Sequence, residues 1–346
     1  MKHPRRLVAA IISAVIGIGS LAGGTAAASA SPQNVDLTGF KLVVADTAGI
    51  FKATCAQYNC TAGAKYSLEF VTFATGPEAL AATVGGSVHL AGTAMAPAVF
   101  AAAAKQPAKI VAVTEPQSKP GNSFAIVVSK KSYDAGLTSI AALRGKQLSL
   151  TSGTEGELLA INALKKAQVP LTSVSFSNLA PAANFAAISS GAVAAAVLPE
   201  PFVSMSKASG AQVLTTGTGY LPGYFAFFQS NKTLKNPKVV AAISDYLKRW
   251  QKMTKQIYAD PTAGVALYAK TLFPALPLAA ATPLSTVLYE NSRAGFVPIE
   301  PKVITEFQKV AQTLFEVGAL KRPVNMANFF DAKVYYATLK ALPKVK

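Results

Sequence analysis

From Leu148 to Phe202 apolar runs alternate with short polar turns, in a pattern that predicts strand, turn, helix, strand, helix, strand, turn. The first part of the chain has the same rhythm. Lys41–Ala45 predicts a buried strand, and Asp46-Thr47-Ala48-Gly49 turns into a helix. Tyr66–Phe73 predicts a second strand, after which Thr75-Gly76-Pro77-Glu78 opens a helix with a capping residue and an early proline. Ser87–Ala91 follows as a strand, Gly92–Pro97 leads into an alanine-rich helix over 98–105, and Lys109–Val113 forms a further strand. Strands that alternate with helices in this way predict an α/β fold.

Ser123–Lys131 is apolar and β-branched, and predicts a strand leading out of a first lobe. Ala211–Thr216 predicts the last strand of a second lobe, Gly219–Gly223 is a breaker cluster, and Tyr224–Ser230 predicts a return strand. The expected organisation is therefore lobe 1 over 38–131 and 224–346, lobe 2 over 132–219, and hinges near 128–132 and 219–225. Two crossings permit hinge closure. The rest is mainly helical. Asn236-Pro237 start a helix with the stripe Val240, Ile243, Leu247, Trp250 and Ile257, and Pro301 starts another with Val303, Ile304, Phe307, Val310 and Leu314, stopped by Gly318.

The N-terminus changes the compartment. Lys2, Arg5 and Arg6 precede an apolar run that is short for a span and ends at Ala28-Ser29-Ala30, the pattern of a secretory leader cleaved after residue 30. The remaining chain is long enough for two lobes at about 150 residues each. Three of the excess positive charges behind the net +17 belong to the leader. The other lysines are scattered and accompany no nucleic-acid motif, so no nucleic-acid partner is expected. They read either as solubility charge or as a field that draws anions to a cleft. Cys55 and Cys60 are the only cysteines, and a C-x4-C pair in an oxidising compartment predicts a structural disulfide. His89, the one histidine past the leader, lies in an apolar strand and reads as a satisfied imidazole.

Anions give up strong hydration on binding, and helix starts offer free N–H groups to replace it. Three turns qualify: Asp46–Gly49, Gly92–Ala96 and Thr151–Glu155. The last is richest, because Ser152 and Thr154 add hydroxyls and Gly153 permits close approach. Each also fits a plain cap; Ser152-x-x-Glu155 and Thr154-x-x-Glu157 both match a capping box. Glu200, between two prolines at a strand end, fits either a ligand ammonium or a neighbouring lysine. Tyr220 and Tyr224 fit either a cleft wall or core packing. Enzymatic machinery is absent from the sequence: no G-x-S-x-G elbow, P-loop, G-x-G-x-x-G after the first strand, or H-E-x-x-H. Neither metal nor cofactor is expected.

Taken in order, the segments Gly49-Ile50-Phe51, 76–113, the strand 125–131, 137–169, Pro199-Glu200-Pro201-Phe202, Asn236-Pro237 and the tail 318–331 resemble the periplasmic substrate-binding proteins of sulfonate, taurine, nitrate and thiamine-precursor ABC importers. The resemblance implies a two-lobed type II binding protein, monomeric, that closes on a small anionic ligand and delivers it to an inner-membrane permease with its ATPase. It implies ligand contacts at Thr47, at Thr93, Ala94 and Met95, at Ser152, Gly153, Thr154 and Glu155, and at Glu200, with Tyr220 near the hinge. Many relatives have Gly-Asp where this chain has Gly92-Thr93-Ala94-Met95, and Asp where it has Glu200, which implies a less polar pocket near Met95. An alkanesulfonate suits helix-end donors and hydroxyls, and an amine-bearing one such as taurine would pair its ammonium with Glu200. Nitrate, a carboxylate and a thiamine or flavin precursor are the alternatives. Of other classes, a ligand sensor shares the fold, whereas the pyrimidine-synthase branch needs a His/Cys-rich site this chain lacks.

Overall fold

The computed structural model describes residues 35–47, 49–117 and 123–345, and the leader with its cleavage site lies outside them. The strands are β1 (Lys41–Thr47), β2 (Ser67–Phe73), β3 (Ala91–Ala94), β4 (Ala108–Pro116), β5 (Phe124–Val128), β6 (Gln147–Leu150), β7 (Ser175–Asn178), β8 (Ala195–Pro199), β9 (Gln212–Thr216), β10 (Phe225–Ser230) and β11 (Ala294–Val297). The α-helices are α1 (Ile50–Gln57), α2 (Gly76–Gly85), α3 (Met95–Ala103), α4 (Lys130–Asp134), α5 (Glu155–Lys166), α6 (Pro181–Ser189), α7 (Phe202–Ala208), α8 (Pro237–Ala259), α9 (Pro261–Leu272), α10 (Leu278–Asn291), α11 (Pro301–Glu316) and α12 (Tyr336–Ala341).

In the first lobe the parallel ladder β1–β2 joins the four-stranded sheet β11-β4-β10-β3 through a parallel bridge between Val44 and Leu90. Strand β10 runs antiparallel to both β3 and β4, and β11 antiparallel to β4. The second lobe is a five-stranded sheet in the order β7-β6-β8-β5-β9, with β6 parallel to β7 and β8 and β5 antiparallel to β8 and β9. The parallel strands of each lobe end where helices begin. Strands β1 and β3 hand over to α1 and α3, β6 and β8 to α5 and α7.

Central strands need apolar residues on both faces. Ala125–Val128 and Ala195–Leu198 meet that need and are wholly buried. On one side Ile126, Val128, Ala195 and Val197 pack into a cluster with Leu158, Leu159 and Ile161 of α5. On the other, Ala125, Val127, Ala196 and Leu198 meet Ile188 of α6 and Val203 of α7. The α5 cluster continues into the first lobe through Met95 and Val99 of α3 and Phe307 and Leu314 of α11. One apolar core thus runs between the lobes.

The expected first crossing is corrected. The strand expected to leave lobe 1 is β5, which lies inside the second sheet, so the first crossing falls between Pro116 and Phe124 and not near 128–132. An apolar strand fits either sheet equally well, and β5 finds its partners in β8 and β9. In α8 the buried stripe begins at Val239, while Val240 is only partly buried. In α11, Ile304 packs on the core from a partly exposed position while Val303, Phe307, Val310 and Leu314 are buried. The return to the first lobe runs from Thr216 to Phe225. Cys55 and Cys60 form a disulfide, buried beside Tyr66, Tyr246 and Trp250.

Candidate functional site

The starts of α1, α3, α5 and α7 are each met by a side-chain acceptor. Asp46, fully buried at the end of β1, takes the N–H groups of Phe51 (3.1 Å) and Lys52 (2.9 Å) on its two carboxylate oxygens. The N-cap of α1 is Gly49, in a left-handed conformation with no side chain to offer, so Asp46 does the capping. Burial pushes the Asp46 carboxyl up, and those backbone donors pull it back down. Thr47 follows half-buried, paired in register with Phe73.

At the β3–α3 turn the backbone comes too close to its neighbours for side chains. A Cβ on Gly92 would lie 2.3 Å from the Phe225 ring, and one on Gly76 would lie 1.8 Å from the Thr93 hydroxyl. Thr93 is therefore spent against the start of α2, and it is buried. Met95 is wholly buried in the interlobe core and adds no apolar wall to an open pocket. Ala94 is the N-cap of α3 and has no acceptor side chain. The acceptor comes instead from the second lobe. Glu155 Oε2 receives the Ala96 N–H at 2.9 Å, across 59 residues of sequence.

The β6–α5 turn is tightly self-bonded. The Thr151 hydroxyl donates to the Leu179 carbonyl (2.7 Å), and Asn178 Oδ1 accepts from the Ser152 N–H (2.9 Å). Glu157 Oε2 accepts from the Gly153 N–H (2.6 Å), with Gly153 at φ 75°. The N-cap is Thr154, whose hydroxyl donates to the Thr151 carbonyl (2.6 Å) and accepts from the Gly156 N–H (3.2 Å). Neither of the two expected capping boxes forms: Thr154 takes the Gly156 N–H and Glu157 that of Gly153, so the Thr154–Glu157 pair is not reciprocal, and the Ser152–Glu155 pair is absent. Ser152 is exposed, and Glu155 serves α3 instead of its own helix.

Glu155 is the most perturbed acid in this region. It is 4% exposed, and loss of solvent raises its carboxyl to about 7 against the pull of the Ala96 and Met95 amides. Its Oε1 is buried and has no hydrogen-bond partner. Glu200 differs: Oε2 accepts from the Ser204 N–H (3.0 Å) and Oε1 from the Ser204 hydroxyl (3.0 Å), so both oxygens hold the start of α7 rather than a lysine. Burial raises its carboxyl, and the Ser204 donors oppose the rise.

Tyr220 is not brought to this site. Its carbonyl accepts from Asn162 Nδ2 (2.8 Å), and Lys166 Nζ lies 4.9 Å from its ring centroid. Both contacts tie it to the C-terminal half of α5, where Asn162 and Lys166 lie. Tyr224 is buried near Phe307 and donates to Glu115 Oε1 at 2.8 Å. His89 accepts the Val43 N–H on Nδ1 at 3.0 Å and completes the β1 edge; burial lowers its pKa. An open depression of about 510 Å³ lies elsewhere, between Lys41, Lys52, Asn59 and Glu69 on the outer edge of β1 and β2. The feature that sequence reasoning missed is the reach of Glu155 to α3. Its signal was Ala94, a helix start with no local acceptor.

A family model described as ABC transporter, phosphonate, periplasmic substrate-binding protein matches residues 61–256, more than half of the chain. A curated relative, the putative aliphatic sulfonates-binding protein of Escherichia coli (strain K12), is 24% identical over 261 residues, which cover 75% of this chain and 77% of the relative. Among solved structures, the alkanesulfonate-binding protein SsuA of Xanthomonas axonopodis pv. citri, bound to MOPS, superposes with a TM-score of 0.73 at 22% identity, covering 85% of this chain and 99% of that one. The periplasmic aliphatic sulphonate binding protein SsuA of Escherichia coli gives a TM-score of 0.71 at 22% identity, over 84% and 92% of the two chains. The two-sheet architecture is thus that of these binding proteins.

Proposed function

The chain belongs to the family of phosphonate ABC-transporter periplasmic substrate-binding proteins, and from that premise we propose that it captures an alkanesulfonate between its two lobes. As a member of that family it binds a small molecule and works with a membrane permease and its ATPase. The ligand class, an anion with a sulfonate head, is our reading. So are the assignment of Ser152, Gly153, Thr154 and Glu155 from one lobe and of Thr47 and Ala94 from the other, export through the N-terminal leader, and action as a monomer.

One observation carries the reading: the starts of α3 and α5 face each other across the lobes, and a carboxylate group already bridges them. Helix-start amides that hold one buried acid group are donors of the kind an acid ligand needs. The likeness to sulfonate-binding relatives supports the choice of acid. No chemical step is assigned, since the acids here are engaged as helix caps and interlobe contacts.

The test is a thermal-shift and calorimetric screen of alkanesulfonates, taurine, nitrate, carboxylates and thiamine precursors, in buffers free of sulfonates. A ligand at 100 times its Kd should stabilise the fold by about 2.7 kcal/mol. Stabilisation by alkanesulfonates above the other classes is the expected result. A response to nitrate or carboxylates alone would overturn the sulfonate assignment and leave the binding-protein reading standing.

A further inference from the structure

The acids at the helix starts fall into two kinds. Asp46 uses both oxygens on Phe51 and Lys52, and Glu200 uses both on Ser204. Glu155 uses one, on Ala96, and leaves Oε1 buried without a partner among the described residues. A buried polar atom in that condition costs stability unless something else completes it. Among the described residues no charged side chain is positioned to settle it: α3 and β3 carry no ionisable residue, Glu157 turns back onto Gly153, Glu200 onto Ser204 and Asp46 onto α1. The opposing influences on the group are burial and the Ala96 and Met95 amides alone.

We infer that Glu155 is the residue that reads the ligand's acid group, donating a proton from Oε1 to a sulfonate oxygen as a neutral carboxylic acid while Oε2 stays on the Ala96 amide. This rests on the sulfonate reading above. A sulfonate at neutral pH has acceptors only, and a buried carboxylate beside it would repel it. The protonated acid removes the repulsion and supplies the missing donor. Solvent provides the proton, and no covalent bond changes. The carboxyl is already poised for this exchange, since burial raises it to about 7. A phosphonate monoanion brings its own P–OH and can donate to the ionised form, so the same oxygen distinguishes the two acid types.

The experiment is calorimetry of ethanesulfonate with the full mature protein at pH 6, 7 and 8, in phosphate and in Tris, whose ionisation enthalpies differ. Binding that requires the acid form should weaken about tenfold from pH 6 to pH 8 for a group that titrates near 7, and at pH 8 should take up close to one proton per ligand. Glu155→Gln keeps a neutral donor, so it should bind at pH 8 as tightly as the wild type at pH 6, with no proton uptake. Binding by the wild type that is independent of pH and takes up no proton overturns the inference and leaves the sulfonate reading intact. No binding of any sulfonate at any pH, by wild type or variant, overturns both. The wild-type proton count decides the matter even if the variant does not fold.

Discussion

The starts of α1 and α3 pose one problem and solve it differently. Both helices follow a parallel strand of the first lobe, and both have an N-cap without a useful side chain, Gly49 in one and Ala94 in the other. Each start is then served by a buried carboxyl group. For α1 the group is Asp46, from the strand just before it. For α3 it is Glu155, from the other lobe. A cap supplied within one lobe fixes a turn and is satisfied whether or not the lobes meet. A cap supplied across lobes exists only while they meet, so it couples a local hydrogen bond to the relation between lobes. That difference separates a structural acid from a candidate ligand-reading one, although both look alike by burial.

The largest expected effect tests the local member of the pair. Asp46→Ala strands two amide donors in a buried setting, at about 1–3 kcal/mol each, so urea denaturation should show a loss of about 4 kcal/mol. Ligand affinity per folded molecule should change little. A variant within 1 kcal/mol of wild type would mean that α1 finds another cap, and the contrast with α3 would fail.

Glu155→Gln tests the crossing member and carries a pH signature. The Glu155 carboxyl moves from 4.5 to about 7 in the folded protein. Between those values the folded state binds more protons than the unfolded state, so stability falls as pH rises through that window and is flat above it. Wild type should lose on the order of 2–3 kcal/mol relative to Glu155→Gln between pH 4.5 and pH 8. Parallel stability curves for the two proteins would show that the group is ionised as easily folded as unfolded, and would break the comparison.

The α/β class, the order of strands as far as β10, the disulfide and the buried stripes of α8 and α11 were legible, because each follows from local runs and spacing; β11, in the part read as mainly helical, was not. Asp46, three residues ahead of an N-cap glycine, was legible too. Two further features were not. The sheet that β5 joins depends on pairing with β8 and β9, and an apolar pentapeptide flanked by polar turns carries no record of its partners. The target of Glu155 lies 59 residues away, and the local motif Ser152-x-x-Glu155 competed with it as a capping box. Glu200 lies between these cases. Its partner Ser204 is four residues on, within reach of a helix start, but the flanking prolines fit a ligand-facing turn equally well.

Glu200 accordingly gives a smaller, local effect. Glu200→Ala removes the side-chain cap of α7 and should cost about 1–2 kcal/mol, with no dependence on lobe closure. Because both oxygens are engaged by Ser204, taurine and ethanesulfonate should lose affinity equally in this variant. A selective loss for taurine would return the ammonium to Glu200 and set it beside Glu155 as a ligand-reading acid.

The smallest effect belongs to a second polar contact between the lobes. Lys165 of α5 and Glu316 of α11 form an ion pair at 2.9 Å, with side chains 56% and 46% exposed. Water screens such a pair and salt weakens it further, so Lys165→Ala should leave the unfolding midpoint near that of wild type, with any difference gone at high ionic strength. The two crossing contacts thus make opposite forecasts: one buried, dependent on pH and indifferent to salt, the other exposed and dependent on salt. If Lys165→Ala shifted the midpoint as far as Glu155→Gln, the rim charges would govern how the lobes meet. The buried helix start would then be only one more cap, no different in kind from Asp46 on α1.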